Sequence, residues 1–136
     1  MSQPDKAKKL TNLQYHVTAE KGTEPPGTGK YLYNRDKGTY NCIVCGSVLF
    51  SSQAKYDSTT PGLMGWPSFS EVASSKAVKL ITDNSYGMTR TEAVCQKCGA
   101  HLGHLFDDER SPTGQHYCIN SSALDFASKK TGKEPK

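Results

Sequence analysis

Cys95-Gln96-Lys97-Cys98-Gly99-Ala100-His101-Leu102-Gly103-His104 is the stretch of sequence that decides the fold. It opens with a C-x-x-C-G motif, which also occurs earlier as Cys42-Ile43-Val44-Cys45-Gly46. Four thiolates in two such pairs make a complete tetrahedral zinc site, and a site without an open position is structural rather than catalytic. The alternative is two redox-active dithiols, which are typical of a βαβ context that this sequence does not show. The two motifs therefore predict a structural zinc site.

The separation of the two motifs indicates what the metal would do. Between Cys45 and Cys95 the chain is much longer than the roughly 15–20 residues of compact zinc ribbons. A cross-link between distant parts of a chain constrains the unfolded state most. We therefore expect the zinc to hold two remote segments together.

One cysteine, Cys118, remains outside the two motifs. Most lone cysteines are buried, inert thiols. A thiol becomes a good nucleophile where an imidazolium lowers its pKa, and His101 and His104 precede this cysteine in the chain. On a regular strand the two histidines would point to opposite faces, unless the backbone bends at Gly103. With such a bend, one imidazole would orient or donate a proton and the other would stabilise the thiolate.

Length and charge restrict the class of protein. The chain has 136 residues, 35% of them hydrophobic, and a formal net charge of +4. The length favours a single domain, predicted over residues 10–128, with flexible lysine-rich tails at 1–9 and 129–136. Because the positive charge lies in those tails, the domain lacks the basic face that nucleic-acid binding needs. No apolar run approaches the roughly 18 residues of a membrane span.

The N-terminal sequence and the cysteine pattern predict a compartment. Residues 1–5 lack the apolar core of a signal peptide. Paired C-x-x-C motifs in a reducing compartment indicate a metal or redox site rather than a disulfide framework. We expect a cytoplasmic protein, or an organellar one had its N-terminus been processed.

Hydrophobic periodicity and turn residues predict a mainly β fold of antiparallel strands. Thr11 is expected to cap a short helix that buries Leu13, Tyr15 and Val17 and ends at Gly22. Strands are predicted at 40–44, 47–50, 77–82, 88–94, 101–106 and 116–119, with a turn at 84–87. The first C-x-x-C motif is expected to form the turn of the 40–50 hairpin.

Five stretches of the chain resemble methionine sulfoxide reductase B, the reductase for the R epimer of methionine sulfoxide. The resemblance spans about residues 10–126. The matching stretches are Cys42-Ile43-Val44-Cys45-Gly46, Gly65-Trp66-Pro67-Ser68-Phe69, Tyr86-Gly87-Met88-Thr89-Arg90, Cys95 through Asp108, and Tyr117-Cys118-Ile119-Asn120-Ser121.

The resemblance implies a fold of two antiparallel sheets with small helices, and one zinc ion bound by the four paired cysteines. It implies that Cys118 is the nucleophile, and that His101, His104 and Asn120 occupy catalytic and substrate-binding positions. Trp66 falls on the residue whose indole packs against the substrate's methyl group. Oxidised proteins or free methionine R-sulfoxide are the implied substrates, and oxidative stress and protein repair the implied setting.

Two departures from the family pattern concern reduction and charge. The segment 59–64 is about four residues longer than the family pattern and carries no resolving cysteine. We therefore expect regeneration by an external donor, either a small thiol or a thioredoxin- or glutaredoxin-like protein. A monomer is also expected. The usual arginine two places before the nucleophile is His116, and Arg110 is the candidate to replace its charge.

Two rival functions belong to other classes. The first is a zinc-ribbon-like interaction module that has lost catalysis, because related β scaffolds bind proteins. The second is a nucleic-acid-binding ribbon, which the charge distribution disfavours. Retention of Cys118, both histidines, Asn120 and Trp66 together favours the enzyme.

Overall fold

Two antiparallel sheets and a short helix make up the part of the chain described by the structure, a computed structural model of residues 10–84 and 87–128. The predicted tails 1–9 and 129–136 lie outside the described residues, as do two positions of the predicted turn at 84–87. The predicted fold class, mainly β with two antiparallel sheets, is confirmed.

The smaller sheet has three strands, here numbered in chain order along with those of the larger sheet. β1 (Gly38–Cys42) lies between β2 (Val48–Ser51) and β9 (Leu124–Ser128). The hairpin of β1 and β2 was predicted, and the first C-x-x-C motif forms its turn with Gly46 at φ +84°. β9 was not predicted, although its Leu124-Asp125-Phe126 alternates apolar and polar side chains.

The larger sheet has six strands, and its centre carries the predicted site residues. Its two-residue strands β3 and β4 were not predicted, since so short a segment has no detectable periodicity. In spatial order the strands are β3 (Lys55–Tyr56), β4 (Ser68–Phe69), β8 (Gln115–Ile119), β7 (His101–Asp107), β6 (Arg90–Cys95) and β5 (Val78–Asp83).

An aromatic core joins the two sheets. Phe50 of β2 stacks on Phe69 of β4 with ring centroids 4.4 Å apart. Tyr40 of β1 meets the same Phe69 ring edge-on at 5.0 Å, and Tyr117 of β8 lies 5.6 Å from Phe50. Aromatic pairs in these arrangements stabilise a core beyond their buried area. The core therefore fixes β8, which carries the candidate nucleophile Cys118, and its neighbour β4 against the smaller sheet.

The helix α1 (Asn12–Glu20) begins where the sequence predicts, with Thr11 and Gln14 forming a capping box. The predicted buried stripe is wrong in two of its three members: Val17 is buried, but Leu13 and Tyr15 are 39% and 48% exposed. Only the C-terminal half of the helix packs on the protein, so the N-terminal half remains in solvent. The helix ends at a left-handed Lys21 (φ 60°), one residue before the predicted Gly22.

A bulge in β7 provides the predicted bend near Gly103. Ala93 of β6 pairs with Gly103, but the next residue, Val94, pairs with His101, so Leu102 is the extra residue. His104 pairs with Glu92, which lies two residues before Val94 on the same face of β6. Since directly opposed residues share a face, the bulge brings His101 and His104 to one face of the sheet. Their ring centroids are 5.5 Å apart.

Replacement of Gly103 by alanine should disturb this bend. A Cβ at position 103 would collide with the backbone carbonyl of Cys118 and lie 3.0 Å from Ile119 Cα. The backbone at Cys118 and Ile119 cannot move away without disturbing β8. We therefore expect Gly103→Ala to lower the free energy of unfolding by about 2–3 kcal/mol. Denaturant unfolding of the zinc-loaded protein measures this. The exposed strand substitution Val48→Thr is the control and should change it by less than about 0.5 kcal/mol. Equal stability of the alanine variant and the wild type would show that the bulge tolerates a side chain.

Candidate active site and metal centre

The four paired cysteines converge on one point between the two sheets. Their Sγ atoms all lie within 4.8 Å of one another, with Cys42–Cys98 and Cys45–Cys95 each 3.6 Å apart. Zinc–sulfur bonds of about 2.3 Å give a tetrahedron with edges of about 3.8 Å. The donor set and its dimensions therefore fit zinc, and the predicted metal residues are confirmed as one cluster.

The surroundings of the cluster favour the thiolate, the form that binds metal, at Cys95 but not throughout the cluster. Burial raises the pKa of Cys98 to about 11, and the hydrogen bond to Cys95 raises the pKa of Cys42. A hydrogen bond from the Cys42 thiol, with further ones from Ser47 and from backbone N–H groups, lowers the pKa of Cys95 to about 4, although burial opposes this shift. Gly99 adopts φ +81° at the second turn, and its N–H donates to the Cys95 carbonyl. When bound, zinc would be held by four protein ligands and would act as a cross-link.

Cys118 lies at the centre of β8, between two neighbouring strands. Its partner on β7 is His104 and its partner on β4 is Ser68. Directly opposed residues of antiparallel strands project to the same face, so His104 and Ser68 flank the thiol from either side. The structure thus brings Cys118 and His104 together as the sequence predicts.

A cleft of about 140 Å³ opens above Cys118. Three further predicted site residues share its wall with the cysteine: Trp66, His104 and Asn120. The wall is completed by residues that the sequence analysis did not assign to the site: Thr23, Gly62, Leu63, Arg90, Gly103 and Phe106. An aromatic and aliphatic wall with a few convergent polar groups is typical of a small-molecule or side-chain binding site.

Glu24 connects the wall of the cleft to the strand that carries the thiol. Its carbonyl accepts a hydrogen bond from Trp66 Nε1 at 3.0 Å, and its N–H donates to Asn120 Oδ1 at 3.0 Å. Its buried carboxylate accepts the backbone N–H groups of Ser121 and Ser122 at 2.9 and 2.8 Å. The indole and the amide of the cleft are therefore held by one residue.

His101 lies behind His104 and does not line the cleft. It is 3% exposed, and its Nδ1 lies 2.8 Å from Glu92 Oε2. Burial lowers the pKa of His101, although the hydrogen bond and charge of Glu92 act in the opposite direction. Because an ionised carboxylate only accepts, Nδ1 of His101 carries the proton. Lys21 Nζ lies 3.5 Å from the second Glu92 oxygen.

His104 is the histidine that reaches the cleft. Its Nε2 lies 2.9 Å from Asp83 Oδ2, which is also 3.5 Å from Arg90 Nη2. The carboxylate therefore fixes the tautomer, with the proton on Nε2 of the neutral ring, and leaves Nδ1 for other partners. Sequence reasoning could not pair this histidine with Asp83, since the contact depends on the register of β5, β6 and β7.

The resting thiol is not activated in the predicted way. Burial, with a smaller contribution from the charge of Glu24, raises the pKa of Cys118 to about 12. The expectation that an imidazolium lowers this pKa is therefore wrong for the free protein. Arg110 does not supply the charge either, because its Nη1 donates to the carbonyl of Thr59 at 2.7 Å. His116 is fully buried, with Nδ1 2.8 Å from Asp108 Oδ2.

Sequence reasoning missed Glu24, Leu63 and Phe106. A buried glutamate gives no periodic signal, and Leu63 lies in a segment that departs from the family pattern. Phe106 is the last residue of the predicted strand at 101–106, and an aromatic residue in a strand is usually part of the core. Among the described residues, no helix has the length and apolar character needed to cross a membrane.

The fold and the site define a β protein that is cross-linked by a metal centre and has a single cysteine at the base of an aromatic-walled cleft. The SelR domain family model matches residues 10–128. The chain is 54% identical over 125 residues to methionine-R-sulfoxide reductase B3, mitochondrial, of Mus musculus. The aligned region covers 92% of this chain and 48% of the mouse protein. The chain thus spans about half the length of the mouse relative.

Two archaeal relatives are covered almost completely. The peptide methionine sulfoxide reductase MsrB of Methanosarcina mazei is 53% identical over 134 residues, covering 98% of this chain and 93% of that protein. The protein of the same name from Methanosarcina barkeri is 50% identical over 133 residues, covering 98% and 91%. The chain therefore belongs to the SelR domain family, the methionine sulfoxide reductase B family that its motifs resemble.

Loss of the metal should unfold the domain rather than only inactivate it. Structural zinc can contribute on the order of 10 kcal/mol, which is comparable with the stability of a whole domain. We therefore expect Cys42→Ser to give insoluble protein or protein without a sharp melting transition. Cys118→Ser is the matched control and should bind one zinc and melt as the wild type does. A metal-free Cys42→Ser variant that melts sharply would contradict a role for zinc in stability.

Proposed function

We propose that this chain reduces methionine R-sulfoxide, in proteins or as the free amino acid, to methionine. The observation that carries the proposal is the convergence of Cys118, His104, Asn120 and Trp66 on one cleft. A thiol nucleophile, a proton donor, a polar orienting group and an aromatic surface are the groups that this reaction needs. Membership of the family supports the same conclusion.

Each residue of the cleft has a separate role in the proposed reaction. Cys118 as thiolate attacks the sulfoxide sulfur, which becomes a good electrophile once its oxygen is protonated. His104, whose Nε2 is held by Asp83, donates a proton from Nδ1 when it is protonated. Trp66 packs against the S-methyl group through sulfur–aromatic contact.

His101 and Asn120 complete the arrangement. His101 supports the ring of His104 from behind, 5.5 Å away between centroids. Asn120 is fixed by its own Nδ2, which donates to the Leu102 carbonyl at 2.9 Å. A polar group held this firmly can orient the substrate without losing much side-chain entropy on binding.

Reduction of the substrate leaves Cys118 as a sulfenic acid, which a second thiol must reduce. The other four cysteines form the metal cluster. We therefore propose that an external thiol, either a small molecule or a thioredoxin- or glutaredoxin-like protein, regenerates the enzyme.

The proposed reductase domain comprises residues 10–128 and acts as a monomer in a reducing compartment, where its free cysteines stay reduced. The direct experiment is turnover of a racemic sulfoxide of an N-acetylated methionine amide, with dithiothreitol as reductant. The R epimer should be consumed and the S epimer should remain. Consumption of neither epimer by the zinc-loaded protein would favour the rival interaction module.

Replacing the nucleophile should abolish this turnover. Cys118→Ser puts a neutral hydroxyl where the thiolate is required, so we expect a loss of about 10³-fold or more in kcat. The zinc content and the melting temperature should remain those of the wild type. Substantial reductase activity in this variant would disprove the mechanism.

A single turnover without reductant should leave an oxidised Cys118 and no intramolecular disulfide. We expect intact mass spectrometry to show one added oxygen, or an adduct with a sulfenic-acid trap at Cys118. The physical reason is that the remaining thiols are committed to the metal. A loss of two hydrogens that maps to Cys118 and one of the paired cysteines would show that a metal ligand also acts as a resolving thiol.

A further inference from the structure

Three hydrogen-bonded side chains, Ser68, His116 and Asp108, form a row beside Cys118 and outside the cleft. His116 Nδ1 is 2.8 Å from Asp108 Oδ2, and His116 Nε2 is 2.7 Å from Ser68 Oγ. All three residues are buried, and the histidine is 0% exposed. Because burying three polar side chains is costly unless each is satisfied, the complete set of bonds makes the row a defined structure.

The row ends next to Cys118. His116 precedes the cysteine by two residues and so shares its face of β8. Ser68 is the direct partner of Cys118 on β4. The neighbouring pair is hydrogen-bonded, with Ile119 N–H donating to the Pro67 carbonyl, so Ser68 and Cys118 form a non-hydrogen-bonded pair. Residues in such pairs have Cα atoms only about 4.5 Å apart, so Ser68 and Cys118 are direct neighbours on one face of the sheet. In the resting protein the Ser68 hydroxyl contacts His116 Nε2 and the Trp66 carbonyl, and it would have to turn toward Cys118 Sγ to accept its proton.

The protonation of the row follows from its acidic end. Hydrogen bonds from Thr60 and His116 lower the pKa of Asp108 to about 2, so this carboxylate is ionised at neutral pH. It therefore accepts the proton on Nδ1 of His116, and in the neutral ring Nε2 becomes an acceptor. Ser68 then donates its hydroxyl proton to Nε2 and keeps its oxygen lone pairs for other partners.

The other groups that face His116 keep a constant charge near neutral pH. The Tyr56 ring of β3 meets it edge-on at 5.5 Å, and burial raises the pKa of that phenol. Phe106 of β7 lies 6.4 Å away and is apolar. The Arg110 backbone N–H donates to Asp108 while its guanidinium binds the Thr59 carbonyl. His116 is therefore the side chain in this set whose second nitrogen can accept a proton from a neighbour.

The order of bonds in the row, serine to histidine to aspartate, is that of hydrolases that form an acyl-enzyme. Here Ser68 is 2% exposed and is itself the partner of Cys118 on β4. A substrate carbonyl could not reach its Oγ. The row therefore serves a neighbouring group rather than acting as a nucleophilic site itself.

We propose that His116, acting through the Ser68 hydroxyl, takes the proton from Cys118 when the cysteine attacks its substrate. The S–H proton passes to Ser68 Oγ as the serine's own proton passes to His116 Nε2. The products are a thiolate, an unchanged serine and an imidazolium paired with Asp108, with no electrons transferred. This step rests on the proposed reductase function and precedes the redox step, in which the sulfoxide gains the two electrons that Cys118 loses.

The proposal explains how a half-buried thiol with a raised pKa can react. With its pKa raised to about 12, Cys118 needs a base. His101 does not line the cleft, and His104 is the group assigned to protonate the sulfoxide oxygen. The family pattern has a fixed cation at position 116, whereas this chain has a group that gains its charge from the same proton that the thiol loses. In the product of the transfer, that new charge stabilises the thiolate two residues away.

The test is Ser68→Ala, which breaks the path but leaves the pair of His116 and Asp108 in place. We expect its single-turnover rate with the sulfoxide to fall by about 10²-fold at pH 7, with an unchanged KM and a deficit that shrinks as pH rises. Ser70→Ala is the matched control. Ser70 is also a buried serine, and its Oγ donates to the Ala54 carbonyl at 3.3 Å. This variant should keep the rate and pH profile of the wild type.

A second readout separates this proposal from the proposed function. The pH dependence of Cys118 alkylation by iodoacetamide requires no sulfoxide, and Ser68→Ala should react more slowly than Ser70→Ala at pH 7. If the wild type reduces no sulfoxide, the reductase function fails, and the alkylation profile still tests the row. Equal rates and equal profiles for the two alanine variants would overturn the proposal.

Substitutions at His116 provide the remaining arm, and zinc content and circular dichroism confirm the fold of each variant. His116→Gln cannot accept a proton and should behave as Ser68→Ala does. His116→Arg carries a fixed charge, so the acidic limb of its pH–rate profile should move to lower pH. An acidic limb at the wild-type position in His116→Arg would show that this histidine does not titrate in the reaction. If Ser68→Ala does not fold, the same single-turnover and alkylation rates are compared between His116→Gln and Ser70→Ala.

Discussion

The convergence of four cysteine sulfurs is the constraint on which the rest of the structure depends. Cys42 is the last residue of β1 in the smaller sheet, and Cys95 is the last residue of β6 in the larger one. The cluster therefore joins the two sheets at one end, while the stacked Phe50 and Phe69 rings join them in the core. Because β7 begins at His101, only three residues after the last metal ligand, the cluster also fixes the strand that carries the two site histidines.

The parts of the fold that could be predicted are those with a local signal. The paired cysteines, the capping box at Thr11 and the alternation of β7 and β8 each depend on a few neighbouring residues. The two-residue strand β4 and the burial of α1 could not be predicted, because both depend on what packs against them. The same distinction holds in the site. Cys118 could be identified because it is the one cysteine outside the two C-x-x-C motifs. Glu24 could not be identified, because its partner Asn120 is 96 residues away in the sequence.

Electrostatics was the hardest feature to predict. Each buried or half-buried histidine of the larger sheet pairs with one carboxylate: His101 with Glu92, His104 with Asp83 and His116 with Asp108. These partners are decided by strand register and loop conformation, which sequence spacing does not reveal. The pairing fixes each ring's tautomer, so the three imidazoles have distinct and assigned donor and acceptor atoms. Each imidazole can therefore act in one direction only, which is what ordered proton transfer requires.

The raised pKa of Cys118 and the missing resolving cysteine fit together physically. The thiolate, not the thiol, is the form that oxidants attack, and a sulfenic acid that forms without substrate must still be reduced by a second thiol. In this chain the other four cysteines form the metal cluster, so under the proposed function every such event would consume an external reductant. Burial and the Glu24 charge keep Cys118 protonated at rest and so limit this loss. Under the proposed function, Cys118 must then lose its proton when substrate binds. His116 can accept that proton because it is buried outside the cleft, where substrate does not displace it as it would displace water.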